Sequence, residues 1–326
     1  MEKHISLNSI IGEENTHDNI RDIIEKLKNI KANKILIQFP EGLKMRIQDI
    51  ANNLETNGFE ILLCIESTFG ACDIREYEAN LLNCDAILHF AHTNFGVKSK
   101  IPVIYVPYAI DFNPLPLLEE NIDKLKSYKN ICIFTTSQFL HCLEKAKSCL
   151  ESQGKEVLIG KHHRAGTEGQ ALGCDYSAAL PFEKQVDCFL YLGSGYFHPI
   201  GLALKTSKPV LFLNFDNGKL IDLKKEKTRL ERIKAYNIEQ AKEAKDFGIL
   251  VSVKEGQLFL KMAERLKKKL KEKGRNAWIL VSDEITPQKL MGLKLDVLVN
   301  CACPRIDEDF ELFKKPILNP QDIDKI

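Results

Sequence analysis

No apolar run in this chain approaches the ~20 residues that a membrane-spanning helix needs. The polar N-terminal stretch MEKHISLNSIIGEENTHDN lacks the apolar core of a secretory signal. Neither sign of charge is in surplus: 46 Lys and Arg face 45 Asp and Glu, a net charge of +1. That balance gives no electrostatic ground for a nucleic-acid partner. The compact cysteine runs of zinc ribbons and ferredoxins are also missing, because no C-x2-C pair occurs. Together these absences point to a cytoplasmic protein with neither membrane nor nucleic acid as its partner. In that compartment its 10 cysteines are reduced, so metal binding or catalysis explains them better than disulfides do.

What is present is a repeat. The chain has 326 residues, 44% of them hydrophobic, and β-rich apolar runs recur in a fixed order. The first set is KILIQF (34–39), EILLCI (60–65), DAILHF (85–90) and IPVIYV (101–106). The second is NICIFT (130–135), EVLIG (156–160), DCFLYL (187–192) and KPVLFLN (208–214). The third is GILVSV (248–253), AWILVS (277–282), DVLVNC (296–301) and KPILNP (315–320). Between the first and second runs of each set lies a helical pattern that stops at a glycine: Gly58, Gly154, Gly274. The third run is headed by Asp85, Asp187 or Asp296, and the fourth carries Pro102, Pro209 or Pro316. Continuous Val/Ile/Leu runs alternating with helices predict parallel strands covered on both faces. The expected fold is α/β, with three small parallel-sheet domains around a pseudo-threefold centre. They are assigned to 1–126, 127–222 and 223–326, and the charged segment 223–246 is predicted to be a connecting helix.

Six cysteines fall within or directly before these elements: Cys64, Cys84, Cys132, Cys142, Cys149 and Cys188. Free cysteine packs as a small hydrophobe, so they read as core residues. Cys72, Cys174, Cys301 and Cys303 follow strands instead, on the edge where open parallel sheets bind ligands. One loop thiol per unit suits an iron–sulfur cluster with one iron left free, or a zinc-held scaffold on the same thiols. Between Cys301 and Cys303, the second is the expected ligand. Pro304 holds the residue before it extended, which orients Cys303 in advance.

The segments QFPEGL (38–43), STFGACD (67–73), GQALGC (169–174), GSGYFHPIGLAL (193–204) and NCACPRI (300–306) occur in this order. Through them nearly the whole chain resembles the 2-(3-amino-3-carboxypropyl)histidine synthases of diphthamide biosynthesis. The resemblance implies a [4Fe-4S] cluster held by Cys72, Cys174 and Cys303, and S-adenosylmethionine as co-substrate. It implies transfer of a 3-amino-3-carboxypropyl group to C2 of a histidine imidazole on translation elongation factor 2, with release of methylthioadenosine. It also implies a homodimer and a separate electron donor. Glu41, Gly42, Gly193, Ser194, Gly195 and His198 are the expected cofactor contacts, although Glu41 can equally start a helix. Gly70 and Gly173 would let the backbone approach the cluster. The sequence departs from the family at Phe69, where tyrosine is frequent, at Asp73, where some relatives have a second cysteine, and at Cys301, where threonine is common. Other readings are a quinolinate-synthase-like Lewis-acid enzyme and a partner subunit that only relays electrons.

Overall fold

The computed structural model describes residues 14–307 and 310–326. Residues 1–13, which hold most of the polar stretch read above as lacking a signal core, lie outside them. Three sheets form. The first contains β1 (Lys34–Gln38), β2 (Glu60–Cys64), β3 (Ala86–Phe90) and β4 (Val103–Val106). The second contains β5 (Asn130–Thr135), β6 (Glu156–Leu158), β7 (Cys188–Gly193), β8 (Val210–Asn214) and β9 (Lys219–Asp222). The third contains β10 (Asp246–Ser252), β11 (Asn276–Ser282), β12 (Val297–Cys301) and β13 (Ile317–Leu318). Their orders are β2-β1-β3-β4, β6-β5-β7-β8-β9 and β11-β10-β12-β13. Every pairing is parallel except that of β8 with β9. Each unit thus places its first strand centrally, and the order in which strands are added reverses between its first and third strands. That crevice, beyond the carboxyl ends, is where doubly wound sheets receive ligands.

All twelve predicted strands form. The central ones are apolar because both faces are covered: β3, β7, β8 and β12 are buried along their whole length. The repeated residues do the same work in each unit. The Asp85 carboxylate accepts from the backbone N–H of Asn33 and Lys34, both at 2.8 Å. Asp187 does so for Lys129 and Asn130 at 2.8 Å, and Asp296 for Lys245 and Asp246 at 2.9 Å. An aspartate at the head of the third strand therefore ties down the start of the first. Pro102, Pro209 and Pro316 lack an N–H, but each carbonyl accepts from the third strand at 2.9 Å, through Ile87, Phe189 and Leu298.

Gly58, Gly154 and Gly274 have φ of +92°, +74° and +75°. The residue after each donates to a carbonyl five positions back: Phe59 to Leu54, Lys155 to Leu150, Arg275 to Leu270. Those bonds close the last turns of the helices Lys44–Thr56, Cys142–Ser152 and Leu260–Glu272 in the manner of a Schellman motif. The connecting helix spans Lys224–Glu243, shorter than the predicted 223–246 because β10 begins at Asp246. The sequence reading missed β9. Its signal was Asn217-Gly218 between two apolar runs, the mark of a hairpin, and Gly218 has φ +70°.

Candidate metal centre

One cavity gathers loops from beyond the carboxyl ends of strands in all three sheets. The first unit supplies Phe69–Cys72 after β2 and His92, Thr93 and Phe95 after β3. The second supplies Gln138 after β5, Gln170–Cys174 after β6, and Phe197 and His198 after β7. The third supplies Gln257 after β10, and Cys303 and Arg305 after β12. Cys72, Cys174 and Cys303 therefore share one wall-lined space, and the charges of Cys72 and Cys174 bear on Cys303. Burial pushes all three thiols up, Cys303 to about 11.

Six of the seven other cysteines take the places expected of them in or beside the cores. Cys132, Cys142 and Cys188 are fully buried, Cys64 and Cys84 pack in the first unit's core, and Cys149 lies partly buried against the second unit's core. Cys301 is 2% exposed and packs with Ile249, Val251 and Leu318 in the core of the third unit. Cys303 lies past the strand, in the cavity. The side chain of Asn300 reaches over this corner, donating to the Cys303 carbonyl at 3.0 Å and accepting from the Ala302 N–H at 3.0 Å.

Two contacts join the first and third units directly at Cys72. Gln257 Nε2 donates to Cys72 Sγ at 3.2 Å, and the Gly256 N–H donates to the Cys72 carbonyl at 2.9 Å. Next in the chain, Asp73 pairs with Lys254 at 2.5 Å, both side chains nearly inaccessible. Arg75 approaches Asp73 at 3.4 Å and Asp283 at 2.8 Å, extending the bridge to the third unit. Asp73, where relatives can have cysteine, is here a structural charge. At the mouth, the Arg305 guanidinium lies 5.6 Å from the Phe69 ring and 5.7 Å from the Phe197 ring. Phe69 is about half exposed and also faces Lys254 at 5.2 Å.

Three histidines sit at or behind the wall. Burial holds His92 and His198 down to about 4, with Arg305 adding to the effect on His198. His89, within β3, is fully buried, contacts His92 Nδ1 through Nε2 at 3.0 Å, and is held to about 3 by burial and then by His92. These rings are neutral at pH 7. His92, Gln170 and Gln257 were not singled out from the sequence. Gln257 had a signal: Glu255-Gly256 follows the first strand of the third unit just as Glu41-Gly42 follows that of the first.

Five of the expected cofactor contacts do not line this cavity. Glu41 is exposed and pairs with Lys44 at 2.6 Å at the start of a helical segment, where negative charge is favoured, and neither it nor Gly42 lines the cavity. Gly193, Ser194 and Gly195 also stand outside the lining. They form a turn in which the Ser194 carbonyl accepts from the Tyr191 hydroxyl at 3.2 Å, and the turn launches the helix Phe197–Ala203 that carries His198. His198 is the one of the six that reaches the cavity. Gly70 has ordinary contact with Cys72 Sγ, 3.4 Å from a Cβ built there, while a Cβ on Gly173 would strike the Phe197 ring at 1.8 Å.

The donor set fits a cluster. Among the described residues, no group of three His, Cys, Asp or Glu converges tightly enough for a single metal ion. A cubane places one iron beneath each thiolate, so its ligands stand further apart than those of one ion. Three thiols lining one cavity, one from each sheet and with N–H groups beside them, are the donor type such a cluster takes.

Comparison with known proteins gives the same direction. The family model of diphthamide synthesis proteins matches residues 39–325. The 2-(3-amino-3-carboxypropyl)histidine synthase of Pyrococcus horikoshii is 38% identical over 306 residues, covering 93% of this chain and 88% of that protein. The synthase of the same name from Methanocaldococcus jannaschii is 28% identical, covering 92% of this chain and 86% of its own. Subunit 1 of the Saccharomyces cerevisiae enzyme is 29% identical, covering 92% and 72%. The crystal structure of Dph2 from Pyrococcus horikoshii with a 4Fe-4S cluster superposes with a TM-score of 0.87 at 38% identity, over 94% of this chain and 89% of that one.

Proposed function

The chain belongs to the diphthamide synthesis family, and from that premise we propose that it is a 2-(3-amino-3-carboxypropyl)histidine synthase. Its reaction is the first step of diphthamide biosynthesis. A 3-amino-3-carboxypropyl group passes from S-adenosylmethionine to C2 of a histidine imidazole on translation elongation factor 2, and methylthioadenosine leaves. The observation that carries this reading is the meeting of Cys72, Cys174 and Cys303, one from each sheet, on one cavity.

Those three residues hold a [4Fe-4S] cluster, which when bound supplies the electron that breaks the bond from sulfur to the methionine γ-carbon. The chain's own groups prepare the space. The Gly256 backbone N–H holds the Cys72 loop in place. His92 and His198, neutral because buried, offer ring nitrogens to cofactor or substrate without adding positive charge. Arg305, between two aromatic rings, sets a cation beside the thiolates and narrows the mouth that the target histidine must pass. The repeats, over 1–126, 127–222 and 223–326, act as one structure because each gives a single ligand. The Pyrococcus and Methanocaldococcus relatives are named as synthases without a subunit number, which supports a self-sufficient enzyme here; the reading proposed is a homodimer served by a separate electron donor.

The test is anaerobic. Reconstituted protein, a reductant, S-adenosylmethionine and elongation factor 2 are mixed, and the factor is weighed by mass spectrometry. One 3-amino-3-carboxypropyl group on histidine, with equimolar methylthioadenosine, is the expected result. An unmodified factor beside an iron-loaded, reduced protein would overturn the proposal.

A further inference from the structure

The turn Glu255–Gln257 follows β10 and closes with the Gln257 N–H donating to the Lys254 carbonyl at 2.8 Å. It belongs to the third unit, yet its partner is the Cys72 loop of the first. A Cβ on Gly256 would lie 2.4 Å from Cys72 Cβ, so only glycine lets the two backbones come this close. The turn is fixed further by Lys254, 3% exposed in its side chain, on Asp73, 2% exposed. Gln257 is itself 8% exposed, and its amide N–H is directed at Cys72 Sγ from 3.2 Å. The contact is therefore held from several sides. Cys303 is met differently, by the backbone N–H of Arg305.

An N–H aimed at a ligating sulfur stabilises negative charge on it. A cluster carries more negative charge when reduced, so such a donor favours the reduced form and raises the potential. In a buried site the effect is poorly screened. We propose that Gln257 is a positioning residue that sets the reduction potential of the cluster through its hydrogen bond to the Cys72 sulfur. The inference rests on the ligand set given above. It makes the third unit contribute twice, with Cys303 as a ligand and Gln257 as a regulator of the first unit's ligand.

The experiment uses the full chain, anaerobically reconstituted. Gln257→Leu removes the donor, Gln257→Glu replaces it by a carboxylate of the same shape, and Gln240→Leu alters an exposed glutamine bonded to Tyr236. Iron per chain and the midpoint potential, from a redox titration followed by electron paramagnetic resonance, are measured for each. Iron should be kept in all three. The potential should move negative in Gln257→Leu, further in Gln257→Glu, and stay unchanged in Gln240→Leu. A Gln257→Leu protein with full iron and an unshifted potential overturns the proposal. Loss of iron in both Gln257 variants overturns it too, since the side chain would then hold the ligand rather than tune it. The ligand set is judged separately: full iron in Cys72→Ala sinks that set, whatever the glutamine variants do.

Discussion

At the scale of single residues, two cysteines separated only by Ala302 have opposite surroundings. Cys301 is sealed in an apolar core, while Cys303 faces the cavity. Cys301→Thr should keep iron and methylthioadenosine release, at about 1–2 kcal/mol of stability for placing a hydroxyl in that core. Cys303→Ser should lose most of both; iron analysis beside a turnover assay separates the two. His89 gives a pH prediction. An unfolded histidine titrates near 6.5, whereas burial and His92 hold the folded one to about 3. Between those values the unfolded chain binds a proton that the folded chain refuses. His89 thus has no destabilising effect above about pH 6.5 and a growing one as pH falls toward 3. Denaturant midpoints measured from pH 7 down to 5 should fall, and His89→Gln should flatten that slope. An unchanged slope in the variant would assign the acid sensitivity to other groups.

At the scale of elements, the repeat states its own rules. The helix-ending glycines have open space where a Cβ would go, so replacing them strains the backbone and nothing else. Alanine at Gly58, Gly154 or Gly274 should therefore cost about 1–2 kcal/mol each, readable as a lower denaturant midpoint with activity retained. The three aspartate clamps make a matched set. Backbone hydrogen bonds hold the Asp85, Asp187 and Asp296 carboxyls below the usual range. Their stabilisation is full above the unfolded value near 4 and is lost as pH falls through the lower folded value. Asp187→Ala should cost about 1 kcal/mol at pH 7, since two charge-assisted bonds are lost at a partly solvated site. At pH 2 the difference from the unsubstituted protein should shrink.

At the scale of the molecule, the first and third units are joined by charge as well as by the cavity. Lys254 and Asp73 are both buried, so removing Asp73 strips Lys254 of its carboxylate, and removing Lys254 leaves Asp73 only the longer contact to Arg75 at 3.4 Å, in a medium that solvates charge poorly. Lys254→Met should destabilise by about 2–3 kcal/mol, below the cost of a wholly unpaired charge because Arg75 remains beside Asp73, and lower iron content, because the Cys72 loop loses its anchor. Adding Asp73→Asn to that variant should recover part of the stability. Trp278, the single tryptophan, lies about half exposed on β11 and can report the third unit's unfolding by fluorescence. If Lys254→Met melted as the unsubstituted protein does, the bridge would contribute nothing to stability.

The sequence by itself determined every strand but β9, the repeat, the helix ends and the three loop thiols. Each of these rests on local chemistry: strand propensity, a glycine at positive φ, a proline without N–H, a cysteine placed past a strand. It also carried the family, since ordered motifs survive where folds are inherited. It could not decide which neighbours each loop meets. Glu41-Gly42 and Glu255-Gly256 look alike in the chain, yet Glu41 pairs with Lys44 in solvent and Gly256 presses on Cys72. Asp73 reads as a lost cysteine until Lys254 is found beside it. His92 carries no local mark, because what makes it part of the site is burial among residues from other units. Side-chain environment is set by docking of one sheet's loops on another's, a long-range choice among many local equals, and only the tertiary structure makes it.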